Sequence, residues 1–130
     1  MVLTTGRTQM REKEIGESLE SATGFVEEAM EDLKEGRLVE LDLNVWKALD
    51  SIEYAAFLLS LEDILPKEEG HRRKNETGQG DAQLLMNALG LLREGVGIAS
   101  LHADSQSLSR CVWNARRFLM RVERNLSEKL

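Results

Sequence analysis

The stretch ELDLNVWKALDSIEYAAFLLSLEDIL, residues 40 to 65, decides the fold class of this 130-residue chain. It ends at Pro66, the only proline in the sequence, and it is rich in leucine and alanine, which lose little conformational freedom in a helix. At about 100° per residue, its apolar side chains surround most of the helix circumference. A helix of a four-helix monomer buries one stripe only, so we expect this helix to touch a second subunit as well.

Three other segments have apolar residues at intervals of three and four, which is the spacing of one helix face. Gly36 supplies a stop for the first of them, and Asp81 is predicted to cap the start of the next. The predicted helices run from about Thr8 to Glu35, from Asp81 to about His102, and from a cap at Asp104 or Ser105 to near Lys129. On the third helix, small side chains would let another backbone approach closely; they are Ala88, Gly95 and Ala99.

The joints between these helices predict how they pair. Short joints after the first and the third helix predict two antiparallel hairpins. The joint PKEEGHRRKNETGQG, residues 66 to 80, is polar, charged and contains three glycines, so it is predicted to be a long mobile loop. Residues 1 to 7 are predicted to be disordered. We therefore predict one domain over residues 1–130, an all-α antiparallel four-helix bundle with an up-down-up-down order as the simplest arrangement.

Composition bounds the location and the charge of the protein. No stretch approaches the roughly 18 apolar residues of a membrane span, and the N-terminus lacks the apolar core of a signal peptide. The lone cysteine, Cys111, excludes a disulfide within the chain and falls on the core line of the fourth helix. We expect a cytoplasmic protein with an inert thiol and no membrane partner. Residues 1–66 carry 15 acidic and 6 basic side chains, whereas residues 67–130 carry 8 and 11.

The stretch RCVWNARRFLMRVERNL, residues 110 to 126, indicates an interaction surface. Trp113 and Met120 are seven residues apart, so they share a stripe opposite the predicted core line of the fourth helix. Five arginines flank the stripe: Arg110, Arg116, Arg117, Arg121 and Arg124. Trp, Met and Arg are enriched at protein interfaces, and the glutamate face of the first helix, in the same or a second copy, is the acidic complement.

Three interpretations of this stripe stay open. The first is an interface, most simply in a homodimer, with another protein as the less direct partner. The second is structural: Trp113 lies over arginine stems, or a rotation of the helix covers it. The third is nucleic acid, because arginines grip phosphates and a Trp stacks on a base, although the sequence shows no recognised nucleic-acid-binding motif.

Asp50 and Glu53 are a second unusual feature, because helical projection places them inside the apolar arc of the second helix. A buried carboxylate needs a cation, a hydrogen-bond donor or a proton. The two acids are therefore predicted to pair with arginines of the third or fourth helix or to lie at an aqueous margin. A divalent metal ion is the functional alternative.

A resemblance to a known family makes that alternative concrete. EEAMEDLKEG followed by ALDSIEYAAFLLSL resembles the core of the MazG-like all-α nucleoside triphosphate pyrophosphatases over about residues 27–59. That family has a Glu-x-x-Glu pair and a later Glu-x-x-Asp pair that hold Mg²⁺ on the triphosphate. The resemblance implies Glu28 and Glu31 as the first pair of metal ligands, and Asp50 and Glu53 as the second. The second pair is reversed here, and Glu28 and Glu31 project away from the predicted core.

Other catalytic patterns are not visible in the sequence. There is no Gly-rich phosphate loop after a strand, no HExxH and no nucleophile elbow. His102 lies at the predicted end of the third helix, where a histidine ordinarily interacts with the terminal carbonyls. We therefore predict a self-associating protein-protein interaction module with no catalytic residues and no cofactor. The alternatives are a magnesium-dependent pyrophosphatase and nucleic-acid binding through the fourth helix.

Overall fold

A computed structural model describes residues 2–61, 80–101 and 105–129; of residues 2–10 and Ser105 it describes the backbone only. This part of the chain contains four helices and no strand. The helices are α1 (Val2–Glu35), α2 (Leu38–Ser60), α3 (Asp81–Ser100) and α4 (Ser105–Lys129). Leucine, alanine, valine and isoleucine side chains from all four helices form one buried core. The predicted all-α four-helix bundle is confirmed.

The turn between α1 and α2 is built on Gly36, as the sequence predicts. Its φ of 76° lies in the left-handed region, which glycine adopts without steric cost. The amide of Gly36 donates to the carbonyl of Leu33, and the amide of Arg37 donates to that of Asp32. These two bonds satisfy carbonyls at the end of α1 in the Schellman pattern. The chain therefore reverses within two residues and α2 packs back against α1.

Each helix packs side by side with two others. The packed pairs are α1 with α2, α2 with α4, α4 with α3, and α3 with α1. Within the described residues, α1 and α4 share no packed contact, and neither do α2 and α3. The helices therefore occupy the corners of a square in the order α1, α2, α4, α3. The pairs α1/α4 and α2/α3 lie on its diagonals.

Contacts at separate heights show that all four packed pairs are antiparallel. Between α1 and α3, a Cβ on Gly16 would meet Ala99, and Glu27 pairs with Arg93. The contacts between α2 and α4 are Glu53 with Arg116 and Asp42 near Glu123, and those between α3 and α4 are Asp81 with Asn125 and Gly95 facing Leu108. Between α1 and α2 they are Asp32 with Asn44 and Phe25 with Lys47. Because α2 and α3 are both antiparallel to α1 and α4, they run in the same direction.

The helix order along the chain is therefore up-down-down-up, which differs from the up-down-up-down order predicted as the simplest. The end of α2 and the start of α3 lie at opposite ends of the bundle. A short joint forces neighbouring helices into a hairpin, but the stretch of residues 66 to 80 is long enough to leave both orders open. The predicted mobility of that stretch falls on residues 66–79, outside the described residues.

Helix boundaries differ from the predictions at three points. α1 begins at Val2 and not near Thr8, so the predicted disorder of residues 1–7 is wrong from Val2 onward; extending a formed helix costs far less than nucleating one. α2 is helical to Ser60, and residues 62–65 lie outside the described residues. Gly80, and not Asp81, occupies the N-cap of α3. The predictions for His102 and Asp104 also fall outside the described residues.

Candidate interaction surface

Exposed apolar side chains occur from one end of the outer face of α2 to the other. Six exposed apolar side chains recur at intervals of three, four and eight residues, so they lie on one side of the helix. We call this set the α2 stripe: Val39, Leu43, Trp46, Tyr54, Phe57 and Leu61. Two of its aromatic members, Trp46 and Phe57, are more than half exposed, at 53% and 55%. The expectation that α2 has more apolar surface than one bundle can bury is met by this geometry.

Asp50 lies in the middle of the α2 stripe, four residues after Trp46 and four before Tyr54. Its side chain is exposed and has no hydrogen-bond or ion-pair partner within the described residues. Of the alternatives predicted for Asp50 and Glu53, Asp50 therefore fits the one in which the acid lies at an aqueous margin. The arc exists, but the half that contains these acids faces solvent, and the half that contains Val45 and Ile52 faces the core.

Glu53 pairs with the fourth helix, as the structural interpretation predicted. Nε of Arg116 donates to Oε2 of Glu53 at 2.7 Å. The Glu53 side chain remains 50% exposed, so the pair lies at the margin of the groove between α2 and α4. Trp46 is seven residues before Glu53, and both therefore lie on the side of α2 that faces α4.

Met120 extends the apolar surface from α2 onto α4. It follows Arg116 by four residues, hence by about one turn on the same side of α4, and is 46% exposed. Because α2 and α4 are antiparallel and Glu53 contacts Arg116, Met120 lies near the height of Trp46. The α2 stripe and Met120 thus share the face of the bundle that α2 and α4 form.

Trp113 has a different position from Met120, although the sequence placed both on one stripe. Trp113 is half-buried and packs against the core, and the guanidinium of Arg116 lies 5.4 Å from its ring centre. Its buried Nε1 has no hydrogen-bond acceptor within the described residues. The indole is therefore largely covered by its own chain. Of the two predicted apolar interface residues, Met120 is freely exposed and Trp113 is not.

The five arginines predicted to flank the stripe differ in whether they have a partner within the chain. Arg116 is held by Glu53, and Arg117 donates to Asn114 at 2.7 Å while lying 5.2 Å from the Phe118 ring. Three arginines have no hydrogen bond or ion pair to another described residue: Arg110, Arg121 and Arg124. The outer side of α4 is therefore basic and only partly neutralised within the chain.

The acidic face of α1 is not available to these arginines within one molecule. Its exposed glutamates include Glu17, Glu20, Glu28 and Glu31. α1 and α4 lie on a diagonal of the bundle, so their outer faces point in opposite directions. Of the two acidic complements considered from the sequence, the same copy is therefore excluded. Only a second copy can bring these glutamates to the arginines of α4.

The four carboxylates implied by the pyrophosphatase resemblance do not form a metal site. Glu28 and Glu31 are exposed on the outer side of α1, and Asp50 and Glu53 are exposed on α2. Within residues 11–61, 80–101 and 106–129, no three acidic, histidine or cysteine side chains lie close enough to hold a metal ion. The grouping that the resemblance implies is therefore not seen in these residues, because each pair lies on the solvent side of its helix, as the projection of Glu28 and Glu31 indicated.

The burial of two carboxylates, Asp32 and Asp81, was not predicted from the sequence. Asp32 accepts hydrogen bonds from Arg37 and from Nδ2 of Asn44, the latter at 2.7 Å, and the bond to Asp32 is the main reason that the pKa of Arg37 is raised. Asp81 accepts bonds from Asn125 and Lys129. Asp32 thus links α1 to α2, and Asp81 links α3 to α4. No sequence pattern distinguishes these two acids from surface acids.

Cys111 lies in the core, as predicted. It is 4% exposed, and burial raises the pKa of its thiol to about 11. The nucleophile of cysteine chemistry is the thiolate, which this environment disfavours. The thiol is therefore unsuited to nucleophilic catalysis at neutral pH.

No family model, no curated protein and no solved structure matches this chain. Within the described part of the chain, none of the helices combines the length and the apolar character needed to cross a lipid bilayer.

Proposed function

We propose that this protein is a self-associating interaction module in which the α2 stripe binds a second copy of the chain. The observation that carries the proposal is the run of exposed apolar side chains along the outside of α2, which Asp50 interrupts at its middle. Removing such surface from water is worth roughly 25 cal/mol per Å². A surface of this kind on a small bundle favours association.

The size of the surface supports a stable contact. With exposures between 46% and 71%, the six residues of the α2 stripe present about 600 Å² in total, given the roughly 150–250 Å² of a whole aromatic side chain. The largest apolar patch of an ordinary monomer is about 300–600 Å². A standard interface buries about 800 Å² on each partner, so the α2 stripe and Met120 supply most of one side.

The charges beside the stripe support a second copy as the occupant. Asp50 is an unpaired acid in the middle of an apolar surface, and unpaired arginines lie on the neighbouring helix. A second copy brings its own Asp50 and its own α4 arginines to the contact. It also brings its own exposed Trp46 and Phe57, so that apolar surface is removed from water on both sides.

The test replaces Trp46 and Phe57 together by Ser. Both side chains are more than half exposed, so the change removes apolar surface without opening a cavity in the core. We expect the wild-type protein to have the mass of a dimer in multi-angle light scattering and the double variant that of a monomer. The matched control is Met86→Ser on α3, which is 54% exposed and belongs to another face of the bundle.

Two results would contradict the proposal. One is a wild-type protein that stays monomeric at concentrations of hundreds of micromolar. The other is a double variant that keeps the wild-type mass. Circular dichroism and urea unfolding of the monomeric variant check that the bundle itself remains folded.

A further inference from the structure

Two copies can meet through the α2/α4 face in two symmetric ways. A two-fold axis across the helices places α2 on α2 and α4 on α4. A two-fold axis along the helices places α2 of each copy on α4 of its partner. Both arrangements bury the α2 stripe, but they bring different charges together.

The charges distinguish the two arrangements. The first sets two basic outer faces of α4 against each other and two copies of Asp50 face to face, and like charges in a contact cost affinity. The second sets Asp50 against the arginines of α4. Resting on the proposed self-association, we infer that two copies pair about an axis along the bundle, with Asp50 of each copy bound to an arginine of its partner's α4.

The register within one copy supports the same arrangement. α2 and α4 are antiparallel, with Glu53 on Arg116 and Asp42 near Glu123. By interpolation, Asp50 lies near the height of Arg117, one of whose five N–H donors is given to Asn114, and Trp46 lies near the height of Met120. An axis along the bundle preserves height, so each residue meets the partner's α4 at its own level. Acid then meets arginine, and the exposed indole meets the exposed methionine.

The experiment measures the dimer dissociation constant of Asp50→Asn by sedimentation equilibrium. The direction of its change from the wild-type value is the result that decides. We expect the dimer dissociation constant to rise about tenfold, because a charge-assisted contact to arginine is lost. Arg117→Gln is expected to weaken the dimer as well, and the two changes together should weaken it by less than the product of the separate effects. Glu28→Gln, the same loss of a carboxylate charge on the exposed outer side of α1, is the matched control.

A tighter or unchanged dimer in Asp50→Asn would overturn the inference while leaving the proposed self-association intact. A tighter dimer is the result expected if two copies of Asp50 face each other.

Cysteine pairing gives an independent readout, in a background where the buried Cys111 is replaced by Ala. We expect an oxidised mixture of Asp50→Cys and Arg117→Cys chains to form the mixed disulfide. A disulfide between two Asp50→Cys chains, with no mixed product, would place α2 on α2 and overturn the inference. A wild-type protein that is monomeric throughout would defeat the proposed function itself, so the two failures are distinguishable.

Discussion

Arg116 on α4 donates a 2.7 Å hydrogen bond to Glu53 on α2. The same guanidinium lies 5.4 Å from the ring centre of Trp113. One side chain therefore closes the groove between two helices, neutralises an acid and covers an indole. An arginine can neutralise the acid and cover the indole at once, since its planar head can stack on a ring while it donates in its own plane.

Removing this arginine should cost more than removing its acid. We expect Arg116→Ala to lower the free energy of unfolding by about 1–2 kcal/mol, because the ion pair, the cation–π contact and the cover of Trp113 are all lost. Glu53→Gln should lower it by at most about 0.5 kcal/mol, because exposed ion pairs contribute little. Urea unfolding measures both, and Arg124→Ala, with no partner in the described residues, is the control. Equal losses in Arg116→Ala and Glu53→Gln would show that the ion pair alone accounts for the contribution of Arg116 to stability.

Asp32 is a buried acid that accepts hydrogen bonds at the turn between α1 and α2. Its carboxylate accepts from Nη2 of Arg37 at 2.9 Å and from Nδ2 of Asn44 at 2.7 Å. We expect Asp32→Ala to lower the free energy of unfolding by about 2–3 kcal/mol, because it leaves two donors near the buried site without their acceptor. Glu35→Ala is the matched control, since Glu35 is exposed and its bond to Arg37 is long, at 3.3 Å. If the two variants unfold at the same urea concentration, the Asp32 network does not stabilise the turn.

Periodicity in the sequence was enough to predict the four helices and most of the core. The line through Leu19, Ala22 and Val26 is buried, and so is the line through Leu108, Ala115 and Val122. These helices have one apolar stripe each, so only one orientation buries it. The Schellman turn at Gly36 could be predicted for a similar reason, since glycine adopts the required φ most easily.

The orientation of α2 could not be predicted in the same way. Its apolar residues surround the helix, so periodicity alone does not tell the buried half from the exposed one. Small residues identify the buried half of α2: Ala48 and Ala55 are fully buried because helices approach closely there. Asp50 identifies the exposed half. The position of Trp113 agrees with one of the three interpretations that the sequence left open, because Arg116, one turn away, covers the indole from outside.

The glycines of α3 should respond differently to alanine. Gly90 has open space where a Cβ would be placed, so Gly90→Ala should raise the free energy of unfolding by about 0.5–1 kcal/mol through helix propensity. A Cβ on Gly95 would lie 3.0 Å from Cδ1 of Leu19, which is fully buried. We expect Gly95→Ala to lower the free energy by about 1 kcal/mol, because overpacking outweighs propensity. Thermal unfolding checks the opposite signs, and a stabilised Gly95→Ala would show that Leu19 can shift freely.

The thiol of Cys111 should make the stability of the bundle fall at alkaline pH. Burial raises its pKa to about 11, above the roughly 8.5 of an exposed cysteine. The folded state therefore holds this proton more tightly than the unfolded state, and the resulting stability is complete below about pH 8.5 and is lost as the pH rises towards 11. We expect the free energy of unfolding of the wild type, compared with that of Cys111→Ala under reducing conditions, to decline between pH 8.5 and 10.5. Urea unfolding at several pH values measures the difference, and a constant difference would mean that the thiol ionises as easily in the core as in the unfolded chain.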